Sequence, residues 1–219
     1  MFYPGKKIVS IGSYGCNLKC QYCQNHRISM EYENIKTEHM TPEQLTEIAV
    51  MTKQDGNIGV AYTYNEPLIG YEFVENCSKA IHKVGLKNVL VTNGYINKGP
   101  LEELLPFIDA MNVDIKGHSD KTYDKIEGTL EPVIKAIEIA NIKCHIEVTT
   151  LIIPNENENE VEDIAKKLAI INPNIPYHIS RFFPRYRYSD RVATPPVTMY
   201  RLYEKAKQYL NNVYMGNMR

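Results

Sequence analysis

The sequence predicts an α/β fold: a partial, open (βα)6 barrel with a parallel sheet, in one domain spanning residues 1–219. Three observations carry this. Short apolar runs alternate with segments of helical period along the whole chain, which is how parallel strands joined by crossover helices read. Six such units fit, fewer than the eight of a closed barrel. The polar residues of chemical interest fall just after the apolar runs, at the strand C-terminal ends where barrels keep their chemistry.

In order, residues 7–12 (KIVSIG) form the first strand. Thr41 is an N-cap with Pro42 at the first helical position, and Leu45, Ile48 and Ala49 follow at helical spacing. Residues 58–64 form the second strand and 71–84 a helix, which Gly85 stops as a left-handed cap. The third strand covers 88–92, a short helix 100–107, and the fourth strand 110–115. Residues 121–140 are helical with a break near Gly128, and 144–153 are the fifth strand. The carboxylate-rich run 155–160 opens a helix over 160–171, since acidic side chains favour helix N-termini. The sixth strand is 177–180, the last helix 198–210, and 213–215 is a candidate closing strand.

Composition narrows the classes. Hydrophobic residues make up 43% and charged residues 23%, as in ordinary globular domains. The net charge of −1 does not indicate nucleic-acid binding, which asks for a basic excess. No apolar run reaches a membrane span, and the first ten residues lack the apolar region of a signal peptide, so the expectation is a cytoplasmic protein without a membrane partner. Five cysteines, three of them clustered, do not form a secreted disulfide framework.

That cluster is Cys16-Asn-Leu-Lys-Cys20-Gln-Tyr-Cys23. Thiols at this spacing in one loop converge on a soft metal centre. The residues alone leave three readings: an iron–sulfur cluster with one iron free, a structural zinc knuckle completed by His26, or unconnected thiols. Further along, Asn65 and Glu66 end the second strand, where they face a cleft or make a turn closed by Pro67. Thr92 and Asn93 end the third strand, as ligand contacts or as part of an Asn-Gly turn. Asp114 and Lys116 share a face at the end of the fourth, either as a rim salt bridge or as a cradle for a zwitterion. Glu147, Thr149 and Leu151 share a face of the fifth strand, with His145 below them as a satisfied barrel residue. The segment 181–191 carries four arginines and four aromatics. It is either a solvated loop or a rim that meets a phosphate, carboxylate, peptide backbone or nucleotide.

The Cys-x3-Cys-x2-Cys spacing, with aromatic Tyr22 before the last cysteine, resembles the signature of the radical S-adenosylmethionine (SAM) superfamily. Residues 12–25, YTYNEP (62–67), VTNGY (91–95), NVDIKG (112–117), EVTTLIIP (147–154) and HISRF (178–182) resemble, in that order, proteins of the AmmeMemoRadiSam type, relatives of the pyruvate formate-lyase activating enzyme. The resemblance runs from about Tyr3 to Asn217. It implies a site-differentiated [4Fe-4S] cluster on Cys16, Cys20 and Cys23, whose free iron chelates SAM; reduction yields methionine and a 5′-deoxyadenosyl radical that abstracts hydrogen. It also implies that Tyr22 packs by the adenine, that Asn65 and Glu66 stand where the methionine amino group is held, and that Thr92 and Asn93 lie beside SAM. Asp114 and Lys116 then lie near its carboxylate and ribose, and Thr149 occupies a further cofactor-binding position; no catalytic side chain is named.

Departures are present. The activases usually have Gly-Gly-Glu where this chain has Tyr64-Asn65-Glu66, an aspartate at Val91, an arginine at Thr149 and a histidine at Phe183. By motif this is not an ordinary pyruvate formate-lyase activase. The resemblance implies a glycyl-radical-enzyme activase-like protein, with a flavodoxin- or ferredoxin-like electron donor and a glycyl-radical enzyme or other macromolecule as partner. The alternatives are a radical SAM enzyme modifying a small molecule, peptide or RNA, and a zinc-binding structural module.

Overall fold

The period-two alternation of the strands decides which residues face the helices and which face the interior of the sheet's curve. In the computed structural model, which describes residues 1–31 and 35–218, seven strands form one all-parallel sheet in chain order. They are β1 (Lys7–Ile11), β2 (Asn57–Tyr62), β3 (Lys87–Thr92), β4 (Ala110–Asp114), β5 (His145–Ile152), β6 (Tyr177–Arg181) and β7 (Val213–Gly216). The 213–215 segment is thus a seventh strand, paired to β6 alone, and β1 is paired to β2 alone. The barrel is open between these two edges.

On β4, Met111 and Val113 are buried toward the helices while Asn112 and Asp114 alternate with them; on β5, Ile146, Val148 and Ile152 alternate with Glu147, Thr149 and Leu151. The parallel register brings the inward sets into rows, Asn112 beside Glu147 and Asp114 beside Thr149, which itself lies beside His178. Interior polar rows of this kind build a site; the outer apolar rows build the core. Gly59 marks a tight approach of β2 to β3: a Cβ there would lie 1.9 Å from the Lys87 carbonyl oxygen.

The helices are α1 (His26–Ser29), α2 (Pro42–Met51), α3 (Tyr71–Lys83), α4 (Lys98–Leu104), α5 (Asp120–Asp124), α6 (Leu130–Lys143), α7 (Val161–Ile171) and α8 (Pro196–Ala206). Thr41 caps α2 in a full capping box with Gln44, and Gly85 at φ 71° ends α3 by left-handed closure. The helical stretch over 121–140 is broken near Gly128 as its sequence indicates, into α5 and α6, because the chain turns through Glu127 at φ 57° and Gly128 between them. The last helix begins earlier than 198, at Pro196, which suits the first turn, and ends at Ala206. Leu101, Val133, Ile137, Ile164 and Leu168 come from α4, α6 and α7 into one core with the outer faces of the strands. Among the described residues no helix is long and apolar enough to cross a membrane.

Candidate functional site

The cysteine loop leaves β1 and is pinned from several sides before it reaches α1. Gly15 N donates to Ile28 O at 2.7 Å and Lys19 N to Ile126 O at 2.8 Å. Asn65, just past β2, accepts from Ser13 N (2.8 Å) at its Oδ1 and donates from Nδ2 to Gly15 O (3.2 Å). With both ends of this buried amide committed, Asn65 positions the loop.

Cys16, Cys20 and Cys23 then face one cavity of about 1020 Å³ at the C-terminal ends of the strands. Cys16 Sγ accepts from Leu18 N at 3.4 Å and from Asn93 Nδ2 at 3.7 Å. Burial pushes the Cys20 thiol up to about 11; Lys116 opposes this, while Cys16 and Cys23 add to it. Burial also raises Cys16, with Cys23 among the charges it feels. The three thiols are therefore electrostatic neighbours on one wall, with two N–H donors aimed at the Cys16 sulfur. That donor set suits an iron–sulfur cluster, which takes thiolates and hydrogen bonds to them. His26 turns elsewhere: its Nδ1 lies 3.2 Å from Cys23 O and its ring stacks on Tyr186 at 4.4 Å. Among the described residues no three His, Cys, Asp or Glu side chains are grouped to hold a single metal ion. Thiolates on separate irons of a cubane stand further apart than ligands of one ion.

Glu66 joins the ends of β2 and β3. Its Oε1 accepts from Thr92 Oγ1 (2.7 Å) and Leu68 N (3.0 Å), and its Oε2 from Asn93 N (2.7 Å). Burial nonetheless lifts its carboxyl above the ordinary range against those three donors. Asn93 completes the frame, its Nδ2 also donating to Asn17 Oδ1 at 2.8 Å. At the end of β4, Lys116 Nζ lies 3.0 Å from Asp114 Oδ2. Burial works against this ammonium, but Asp114 and Cys20 outweigh it and hold Lys116 above the usual lysine range. Tyr22 reaches from the loop with its hydroxyl at Cys20, and burial pushes its phenol well above 10. Thr149 Oγ1 donates to Asn112 Oδ1 at 2.8 Å.

Every site residue singled out from sequence thus lines this one cavity: Cys16, Cys20, Tyr22, Cys23, Asn65, Glu66, Thr92, Asn93, Asp114, Lys116 and Thr149. The arginine-rich segment divides. Arg181 and Arg185 line the cavity, whereas Arg187 donates to Gln21 Oε1 at 3.3 Å and Arg191 to Glu156 Oε1 at 2.6 Å. His145 is satisfied by Glu147 at 2.9 Å, below Thr149 on the same face. Sequence reasoning missed Tyr64, Met30, Ser180, Met215 and Met218 on the wall. Extending to β7 the rule that strand ends line the site would have found Met215 and Met218. Tyr64 carries no such signal: it sits at φ 74°, a left-handed backbone that a bulky side chain rarely adopts.

Known proteins share both sequence and fold with this chain. The uncharacterized protein MJ0808 of Methanocaldococcus jannaschii is 38% identical over 99% of this chain, which spans 66% of that relative's length. The pyruvate formate-lyase 1-activating enzyme of Escherichia coli is 25% identical over 72% of this chain and 65% of its own. Streptococcus suis SuiB, solved bound to the precursor peptide SuiA, shares the fold with a TM-score of 0.74 at 15% identity, over 96% of this chain and 49% of its own. The family model described as the radical SAM superfamily matches residues 10–168, and the chain belongs to that superfamily.

Proposed function

We propose that this chain is an activase-like radical SAM enzyme, in which Cys16, Cys20 and Cys23 hold a [4Fe-4S] cluster and the neighbouring polar wall holds SAM. The observation that carries the reading is the convergence of the three thiols, Glu66, Thr92, Asn93, Asp114 and Lys116 on one cavity at the strand ends. A cluster held by Cys16, Cys20 and Cys23 would supply one-electron reductive cleavage of SAM, fed by an external flavodoxin- or ferredoxin-like donor, and with it hydrogen abstraction from the substrate.

The chain's own residues supply position and exclusion. Asn65 and Asn93 fix the cysteine loop by bonds to Gly15, Ser13 and Asn17. Glu66 offers the remaining lone pair of Oε2 to an ammonium group, since Asn93 N uses one. The Asp114–Lys116 pair presents a fixed dipole to the carboxylate and hydroxyl groups of a cofactor. Tyr22 and Thr149 bound the remaining cofactor space. Similarity to relatives named as glycyl-radical enzyme activating enzymes and as a pyruvate formate-lyase 1-activating enzyme supports a glycyl-radical enzyme as the substrate.

The experiment is anaerobic reconstitution with iron and sulfide, then dithionite reduction with SAM and a mass assay for 5′-deoxyadenosine. Formation that is lost on changing Cys16, Cys20 and Cys23 to Ala is expected. Failure to bind iron, or intact SAM, overturns the reading. For the activase step, a doublet electron paramagnetic resonance signal on a glycyl-radical partner is expected, and its absence with every candidate partner removes that step.

A further inference from the structure

The cationic side chains on the cavity wall are unequal. Lys116 is paired with Asp114, while Arg181 donates from Nε to Thr194 O at 2.6 Å and lies 4.7 Å over the Phe183 ring. Off the wall, Arg187 is committed to Gln21 and Arg191 to Glu156, with its guanidinium 3.4 Å over the Tyr188 ring. Arg185 lines the cavity with its side chain exposed, and among the described residues it has no acceptor.

A solvated loop would leave all four arginines alike. Here the backbone around Arg185 is fixed. Tyr188 N donates to Arg185 O at 2.9 Å, Arg187 N donates to Gln21 O at 3.0 Å, and the Tyr186 ring is stacked on His26 within 16° of parallel. Tyr186 is held at φ 49°, a left-handed backbone that disfavours any side chain, so the loop keeps this shape at a cost. The result is a guanidinium displayed toward the cavity from a point pinned to the cysteine loop.

The wall beside it has a different character from the cysteine side. Asn217 Nδ2 donates to Arg181 O at 3.3 Å and so ties the end of β7 to the end of β6. This places Met215 and Met218 with Phe183 and Leu151 on the β5–β7 side of the cavity. Methionines adapt to an apolar body of variable shape, and a guanidinium takes a carboxylate or phosphate bidentately.

We propose that the β5–β7 side of the cavity is the substrate subsite, and that Arg185 binds an anionic group, a carboxylate or a phosphate, on a substrate whose adjoining body is apolar. The inference rests on the radical SAM reading of the same cavity. It makes Arg185 a specificity-determining residue, since a substrate lacking the anion leaves the guanidinium unmatched against the apolar wall.

The test is calorimetric titration of the reconstituted, SAM-loaded protein with octanoate, octyl phosphate and octanamide. The expectation is that one of the two anionic probes binds at least tenfold tighter than octanamide. Arg185→Gln should weaken that probe at least fivefold and leave octanamide within twofold; the tighter probe identifies the anion. No preference for an anionic probe in the wild type, or a smaller loss in Arg185→Gln, overturns the proposal. The Arg185 side chain has no bonded partner among the described residues, so the melting temperature of the variant serves as the control for folding. Failure of the underlying reading is seen separately, as wild-type protein that takes up no cluster or no SAM. The same titration without cofactors then reads the wall alone.

Discussion

The two sides of the cavity differ in how far their polar groups are already committed. On the β1–β4 side, Glu66, Asn65, Thr92 and Asn93 bond one another, the backbone and the cysteine loop, so each has a fixed place before anything binds. On the β5–β7 side, the wall has Met215, Met218 and Phe183, with the side chains of Ser180 and Arg185 left without a bonded partner among the described residues. A pre-satisfied network holds geometry at little reorganisation cost, while an uncommitted wall adapts. The proposed division of labour follows: fixed chemistry on one side, choice of substrate on the other.

The largest expected effect breaks the committed side. In Glu66→Gln, one oxygen becomes an NH2 group facing either Asn93 N–H or the Thr92 and Leu68 donors, in a position only 3% exposed. A buried donor set against a donor, with the charge assistance lost, should destabilise by about 2–3 kcal/mol in urea unfolding. Ser180→Ala on the other side should change stability by less than about 0.5 kcal/mol. Equal losses would erase the distinction between the two sides.

Next in size is Glu147, the one strongly committed carboxylate on the β5 interior. It accepts from His178 Nε2 at 2.5 Å, His145 Nε2 at 2.9 Å and Phe2 N at 2.6 Å. Partial burial works to raise its carboxyl, but the hydrogen bonds from His178, His145 and Phe2 prevail and hold it at about 2 instead of 4.5. A folded-state value below the unfolded one gives stability that is full above pH 4.5 and lost as pH falls toward about 2. The contribution is about 2 kcal/mol, less than the full displacement because water screens the group. The stability difference between wild type and Glu147→Gln should therefore be largest above pH 4.5 and shrink to nothing near pH 2. A difference that does not change with pH would show that Glu147 contributes by packing alone.

The committed side was also the legible side. Its residues sit directly after apolar runs, so the strand-end rule offered a cleft-facing place for Glu66, Asn93 and Asp114 beside turn and salt-bridge readings, and the motif resemblance favoured the cleft. What the spacing did not carry was their use: Asn65 reads as a ligand-facing amide but spends its side chain on Ser13 and Gly15, contacts 50 or more residues away in sequence. Tyr64 and Tyr186 hold left-handed backbones without glycine, which no propensity indicates because tertiary contacts impose them. The arginines 181, 185, 187 and 191 look equivalent in sequence. Their separation into spent and unspent depends on Gln21, Glu156 and Thr194, brought to them by the fold.

The smallest expected effect sharpens the uncommitted side. If Arg185 is displayed from a fixed point, the fixing lies in the stack of Tyr186 on His26 and the Arg187 N–H to Gln21 bond. Tyr186→Ala keeps the left-handed backbone but removes the ring that offsets its strain, a loss of about 1 kcal/mol confined to the loop. Hydrogen exchange at the Arg187 amide should then quicken about fivefold through local opening, with the Asn93 amide unchanged. An unaltered Arg187 amide would mean that the stack does not fix the loop, and Arg185 would then owe its position to Pro184 and the bond from Tyr188 N instead.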